Sequence, residues 1–230
     1  MTPPPESERR SPLNRDKVLR AAVRLADTEG IESVSMRRLS HDLGVVPMAL
    51  YKHVANKDEL VGGMVDVVVG EIAAPAEGLG WKPAVRHRVL SAREVMLGHP
   101  WASRVIEART TPTPVVLAYM DSTIALFLDG GLSIDLTHHV MHALGPRMFG
   151  FTQELFTDPA AAGLDPAVQA VMLEQIRDVF PHVVTIATGA AHDAGTVVGP
   201  GCDDQFEFEF GIDLLLDGFE RLHQAGWTSR

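Results

Sequence analysis

Side chains able to do chemistry gather in two places along these 230 residues. The first set is Arg37, Tyr51, Lys52, His53 and Lys57, with the apolar residues Pro47, Met48 and Ala49 among them. A guanidinium can hold a guanine edge or a phosphate through two parallel hydrogen bonds. Lysine and tyrosine side chains hold phosphates without reading sequence, and small apolar groups meet thymine methyls. The second set is His138, His139 and His142, with Glu154 further on. Imidazoles one helical turn apart could ligate a metal. A lone i,i+4 pair without a third ligand nearby in sequence argues against it, so no metal ion and no cofactor is expected. No GxSxG elbow, HExxH or Cys/His ligand pattern occurs, so enzyme activity is not expected. A helical metal-binding protein or enzyme using His138, His142 and Glu154 is the second reading.

The elements that must position the first set are easily placed. Ser35 is a good N-cap, because its hydroxyl can accept a bond from an unpaired backbone N–H. Leu39 and Leu43 follow at helical spacing, and Gly44 stops the helix where a positive φ is easiest. Val45 turns back to the core, and Pro47 suits the first turn of a new helix. Leu50 and Val54 supply that second helix's inner face. Two short helices about a tight glycine turn have the spacing of a helix-turn-helix, whose second helix enters the DNA major groove. Upstream, Leu13 to Gly30 sets Val18, Ala21, Ala22, Leu25 and Ala26 on one face that can cover the pair. Downstream, Asn56 can cap a helix beginning Lys57-Asp58-Glu59-Leu60.

Leu43-Gly44-Val45, Leu50-Tyr51-x-His53-Val54 and Asn56-Lys57 carry a resemblance to the DNA-binding domain of TetR-type transcriptional repressors, from about Leu13 to Met64. The resemblance implies that Pro47, Met48 and Ala49 face base edges and that Tyr51, Lys52 and His53 lie nearer the backbone. Arg37 and Lys52 then carry much of the base discrimination, with Tyr51 and Lys57 on phosphate.

The net charge of −10 is distributed unevenly. Residues 1–60 hold ten Lys/Arg against nine Asp/Glu, and the remainder is strongly acidic. Phosphate affinity follows the local patch and not the total. No apolar run is long enough to span a bilayer, and MTPPPESERR has no apolar core of a secretory signal. Cys202 is the single cysteine, so no intramolecular disulfide can form. That fits a reducing cytoplasm. The Gly189–Asp204 stretch around it has no phosphate-cradling GxxxxGK[ST].

Residues 1–12 are expected to be a disordered basic arm, 13–60 the helix-turn-helix domain and 61–230 a helical body. The fold expected is all-α. Leu60 to Ile72 is β-branched enough for a strand, but its place after the head makes it a connector helix. Helices are then expected over Trp81–Gly98, Trp101–Arg109, Val115–Leu128, Ser133 to about Phe156, Ala167–Val179 and Pro181–Thr188. The alternation of FEFEF mimics a strand, yet Phe206, Phe210 and Leu214 also fit a helix. Without a plausible partner strand, the helix is preferred.

FEFGIDLLLDGFERL resembles the C-terminal helix of the tetracycline-repressor type of body. There this helix and an earlier one pair with their copies, so a homodimer is implied. The resemblance also implies a small-molecule effector pocket in the body. Inward-facing candidates with polar or polarizable groups are Met96, His99, Trp101, Glu107, Met120, Thr123, Phe127, His138, Met141, His142 and Glu154. Where that relative places a histidine for the drug's magnesium, this chain has Ile106 beside Glu107. Glu154 matches its later carboxylate. The absence of that histidine counts against magnesium–tetracycline recognition. The function expected is a ligand-responsive repressor on a palindromic operator.

Overall fold

The structure, a computed structural model, describes residues 12–151, 166–189 and 204–230. Every regular element among them is helical. They form two compact units, one ending at Gly131 and the other beginning at Leu132. The arm expected at the N-terminus lies almost wholly outside the described residues.

Helix α1 (Arg15–Glu29) starts where the Asn14 side chain accepts the Lys17 N–H over 2.8 Å. Val18, Leu19, Ala22, Val23, Leu25 and Ala26 form its buried face. Helix α2 (Met36–Leu43) is capped by Ser35, whose hydroxyl accepts the Arg38 N–H. Gly44 ends it at φ 65°, ψ 36°, the left-handed conformation that a Cβ disfavours. Helix α3 (Pro47–Leu50) is a single turn with proline first, shorter than its spacing suggests, and the chain turns through Tyr51–His53. Leu50 and Val54 are nevertheless both buried, as expected.

Helix α4 (Lys57–Val69) shows why a β-branched run became helical. Asn56 accepts the Glu59 N–H over 2.8 Å, and the Glu59 carboxylate accepts the Ala55 N–H over 2.6 Å. This reciprocal cap fixes the start, and Leu60, Met64, Val65, Val68 and Val69 are all buried. Burial on more than one side outweighs the small propensity cost of valine. Gly63 lets α4 approach α1, since a Cβ there would lie 2.6 Å from Leu19 Cδ2. The helix ends at Gly70, before Pro75.

Helices α5 (Trp81–Gly98), α6 (Ala102–Ala108) and α7 (Pro114–Asp129) complete the first unit. Thr113 caps α7 by accepting the Val116 N–H. α5 and α7 pack together, with Val85, Val89, Ala92 and Met96 of α5 and Val116, Tyr119, Thr123 and Phe127 of α7 buried.

In the second unit α8 (Ile134–Leu144) stops well short of Phe156. Gly145 leaves the helix at φ 46°, ψ −131°, and Pro146 cannot donate an N–H, so a 3-10 turn over Gly145–Phe149 follows. Helices α9 (Pro166–Ile176), α10 (Pro181–Gly189) and α11 (Asp204–Gln224) complete the unit. α11 packs on α8 and buries Phe208, Ile212, Leu216 and Phe219. The tail returns to α8, where the Ser229 N–H and O–H donate to Asp135 over 2.6 and 2.8 Å. The backbone and hydroxyl bonds from Ser229 hold the Asp135 carboxyl below the usual carboxylate range. No helix among the described residues is long and apolar enough to cross a membrane.

Candidate nucleic-acid interface and ligand-facing residues

Two adjacent arginines on α2 have different employment. Arg38 donates through Nη2 to Glu29 over 2.6 Å and through Nε to Asp42 over 3.1 Å, bracing α2 against the end of α1. Those bonds, Asp42's first, hold its guanidinium above its ordinary value. Arg37 is exposed and pairs with no carboxylate among the described residues, so its guanidinium is available to a ligand. Pro47, Met48, Tyr51, Lys52 and Lys57 are also exposed, while Ala49 and His53 are half-buried. Met48 and Val46 each expose 69% of their surface. Two apolar side chains at the start of one turn are thus left exposed to solvent. Val46 was not among the sequence candidates, and its place just before Pro47 is the signal that could have found it.

Helix α6 is bracketed by polar contacts to α1 and to both ends of α4. Before it, His99 Nδ1 meets Asp27 Oδ1 over 2.8 Å and His99 Nε2 meets Glu71 Oε2 over 3.2 Å. The Trp101 indole N–H donates to the same Asp27 oxygen over 2.7 Å. After it, Arg109 Nη1 donates to Asp58 over 3.3 Å. The Arg109 guanidinium lies over Gly62, where a Cβ would sit 3.4 Å from Nη2. Burial works against the His99 imidazolium, but the hydrogen bonds and charges of Asp27 and Glu71 outweigh it and raise the pKa. His99 is therefore a joint between α1, the end of α4 and the α5–α6 corner.

Among the other ligand-facing candidates of the first unit, Met96, Trp101, Thr123 and Phe127 are buried and Met120 is half-buried. Glu107 is exposed, contrary to the inward direction expected, because α6 buries only Ala102. In the second unit Met141 is half-buried, while His138 and His142 are exposed, a second correction. Leu136, Thr137, Val140 and Leu144 take the inner face of α8 and leave the imidazoles outside. His138 rests edge-on against His142 and His139, and His139 against Trp227, with ring centroids 4.7, 5.2 and 5.4 Å apart. Among the described residues no three His, Cys, Asp or Glu side chains converge on a metal position. Glu154 lies outside the described residues.

Sequence reasoning missed Arg88. It lies three residues after Val85 and four before Ala92, on the buried face of α5, and is only 5% exposed. Its Nε donates to Thr123 Oγ1 over 3.1 Å, Nη1 to the Ala73 carbonyl over 2.8 Å and Nη2 to Ser122 Oγ over 2.6 Å. The guanidinium also stands 4.4 Å from the centre of the Tyr119 ring. A charged residue falling in phase with an apolar stripe was the available signal.

Residues 18–64 match the family model of bacterial regulatory proteins, tetR family, and residues 74–223 match the tetracyclin repressor-like C-terminal domain. The chain is similar to the HTH-type transcriptional repressor DrrR1 of Streptomyces coeruleorubidus, 29% identical over 221 residues, which cover 91% of this chain and 78% of that protein. It is also similar to apo ActR from Streptomyces coelicolor, with TM-score 0.70, 25% identity and coverage of 94% and 99%. A structure of the TetR family protein ActR in complex with actinorhodin is similar at TM-score 0.68 and 25% identity, covering 91% and 96%.

Proposed function

The chain belongs to the TetR family of bacterial regulatory proteins, and we propose that it works as a homodimeric transcriptional repressor. It leaves an inverted-repeat operator when a small molecule binds its body. The observation that carries this reading is the α2–turn–α3 head, with Gly44 in the left-handed turn and an exposed set of Arg37, Met48, Tyr51 and Lys52 around α3. In this assignment Pro47, Met48 and Ala49 meet base edges, Arg37 and Lys52 discriminate, and Tyr51, His53 and Lys57 hold the backbone. The head is assigned to residues 13–60 and the body to 61–230. Acting on chromosomal DNA, the protein works in the cytoplasm.

Exposed apolar residues on three helices of the second unit support dimerisation. Phe206, Phe210 and Leu214 form an exposed stripe on α11, and the two phenyl rings stack with centroids 6.3 Å apart. Val171 and Met172 of α9 and Val183 and Ile186 of α10 are exposed as well. A second copy is the occupant that buries them.

DrrR1 carries the name of a repressor and ActR is seen with actinorhodin. For this chain the effector enters beside Met96, Trp101, Met120, Thr123 and Phe127. Ligand binding must favour the arrangement that cannot hold DNA, with a coupling of about 1–3 kcal/mol. Because α6 is tied at one end to Asp27 and Glu71 and at the other to Asp58, its displacement is felt by α1 and α4 together. The metal-binding or enzymatic alternative is not favoured, because the family models and the named relative are those of transcriptional regulators. The test is selection of genomic DNA fragments by the purified protein at fixed salt. Recovery of one inverted-repeat motif supports the reading, and sequence-indifferent retention overturns it.

A further inference from the structure

The surroundings of Arg88 hold a charge they do not neutralise. All three of its hydrogen-bond acceptors are uncharged: the Thr123 and Ser122 hydroxyls and the Ala73 carbonyl. Both hydroxyls spend their own protons on the Tyr119 carbonyl, over 2.8 and 2.9 Å, so they offer the guanidinium only lone pairs. Burial pushes the Tyr119 phenol far up, which keeps it neutral. No carboxylate among the described residues pairs with Arg88, and desolvation is what chiefly bears on its charge. A buried cation without a counter-charge is costly, whereas a purely structural role could be filled by an uncharged donor. A guanidinium has five N–H groups. The three bonds leave one on Nη1 and one on Nη2, which matches the two oxygens of a carboxylate.

Resting on the regulator reading above, we propose that Arg88 is the specificity-determining residue of the effector site and that the effector is an organic carboxylate bound by that guanidinium. Thr123, itself wholly buried and one of the candidate ligand-facing residues, fixes the guanidinium from α7. Ala73, just beyond α4, fixes it from the connector side. An anion drawn to Arg88 thus acts where α5 and α7 meet the end of the helix that leads from the head.

The test uses the full-length dimer and a panel of carboxylic acids graded from acetate through benzoate and 2-naphthoate to decanoate. Each is compared with its primary amide at constant ionic strength, by calorimetry and thermal shift. At least one acid is expected to bind on the order of ten- to a hundredfold more tightly than its amide, as a charge-assisted pair requires. Arg88→Gln should reduce that preference to less than about twofold, and Arg88→Lys should retain part of it. Circular dichroism identifies a variant that fails to fold, in which case the wild-type acid-to-amide ratio decides alone. Equal binding of acids and amides, or binding by none of the panel, overturns the proposal. Selection of an inverted repeat is measured on the same wild-type sample. If it persists while the acid preference is missing, only the carboxylate inference falls; if it is missing too, the regulator reading falls with it.

Discussion

His99 and Asp27 stand 72 positions apart in the chain and meet over 2.8 Å, joining the α5–α6 corner to the first helix of the head. Because the His99 pKa is raised in the folded chain, this joint strengthens the fold when the imidazole is charged. Its contribution is complete below the ordinary histidine pKa of about 6.5 and is lost as pH rises through the raised value. Melting curves of the wild type and His99→Gln should therefore differ most near the acidic end of the range from about pH 5.5 to 8.5. The gap should narrow toward the alkaline end. A gap that widens with pH would assign the joint to the neutral imidazole.

Two glycines of the first unit should respond oppositely to alanine. At Gly130 the new Cβ would fall 2.5 Å from Trp81 Cβ, close to backbone that has little room to yield. Gly130→Ala should cost roughly 1–3 kcal/mol of unfolding free energy in urea titration. At Gly62 the nearest atom would be Arg109 Nη2 at 3.4 Å. Gly62→Ala should be neutral or stabilising by up to about 1 kcal/mol, from helix propensity.

Much of the local architecture was legible in the sequence because short-range chemistry decides it. Ser35, Asn56 and Ser133 all accept the N–H three residues on, and Gly44 adopts the positive φ of a helix stop. What periodicity could not supply were contacts between residues far apart in sequence. The bonds of His99 to Asp27 and Glu71, and of Arg88 to Ser122 and Thr123, cross 28 to 72 positions. The inward directions expected for Glu107, His138 and His142 failed for a related reason. On α8 the apolar neighbours Leu136, Val140 and Leu144 took the core, and a list of polar residues does not show which face they leave.

DNA contacts should separate by kind. Lys57→Ala should weaken binding to every duplex alike and reduce the slope of log K against log salt by about 0.9, the share of one phosphate. Met48→Ala should instead change the ranking of operators at one or two base pairs, each worth about 1–3 kcal/mol. Binding isotherms at several salt concentrations distinguish the two. Loss of sequence ranking in Lys57→Ala, with an unchanged salt slope, would reverse the assignment.

Phe210 is 54% exposed on α11 and stacks with Phe206. Phe210→Asp sets a charge in the face assigned to the second copy, so light scattering should report a monomer at micromolar protein. Operator affinity should fall with it, while helical content stays close to wild type because Phe208, Ile212, Leu216 and Phe219 hold α11 from the other side. A variant that stays dimeric would move the interface elsewhere.

The most direct measurement compares the affinity of the purified protein for the selected duplex with its affinity for the same duplex with one half-site scrambled. Two heads held at fixed spacing by a dimeric body predict a fall toward the non-specific level, on the order of a thousandfold or more. Equal affinity for the intact and half-scrambled duplexes would contradict the account.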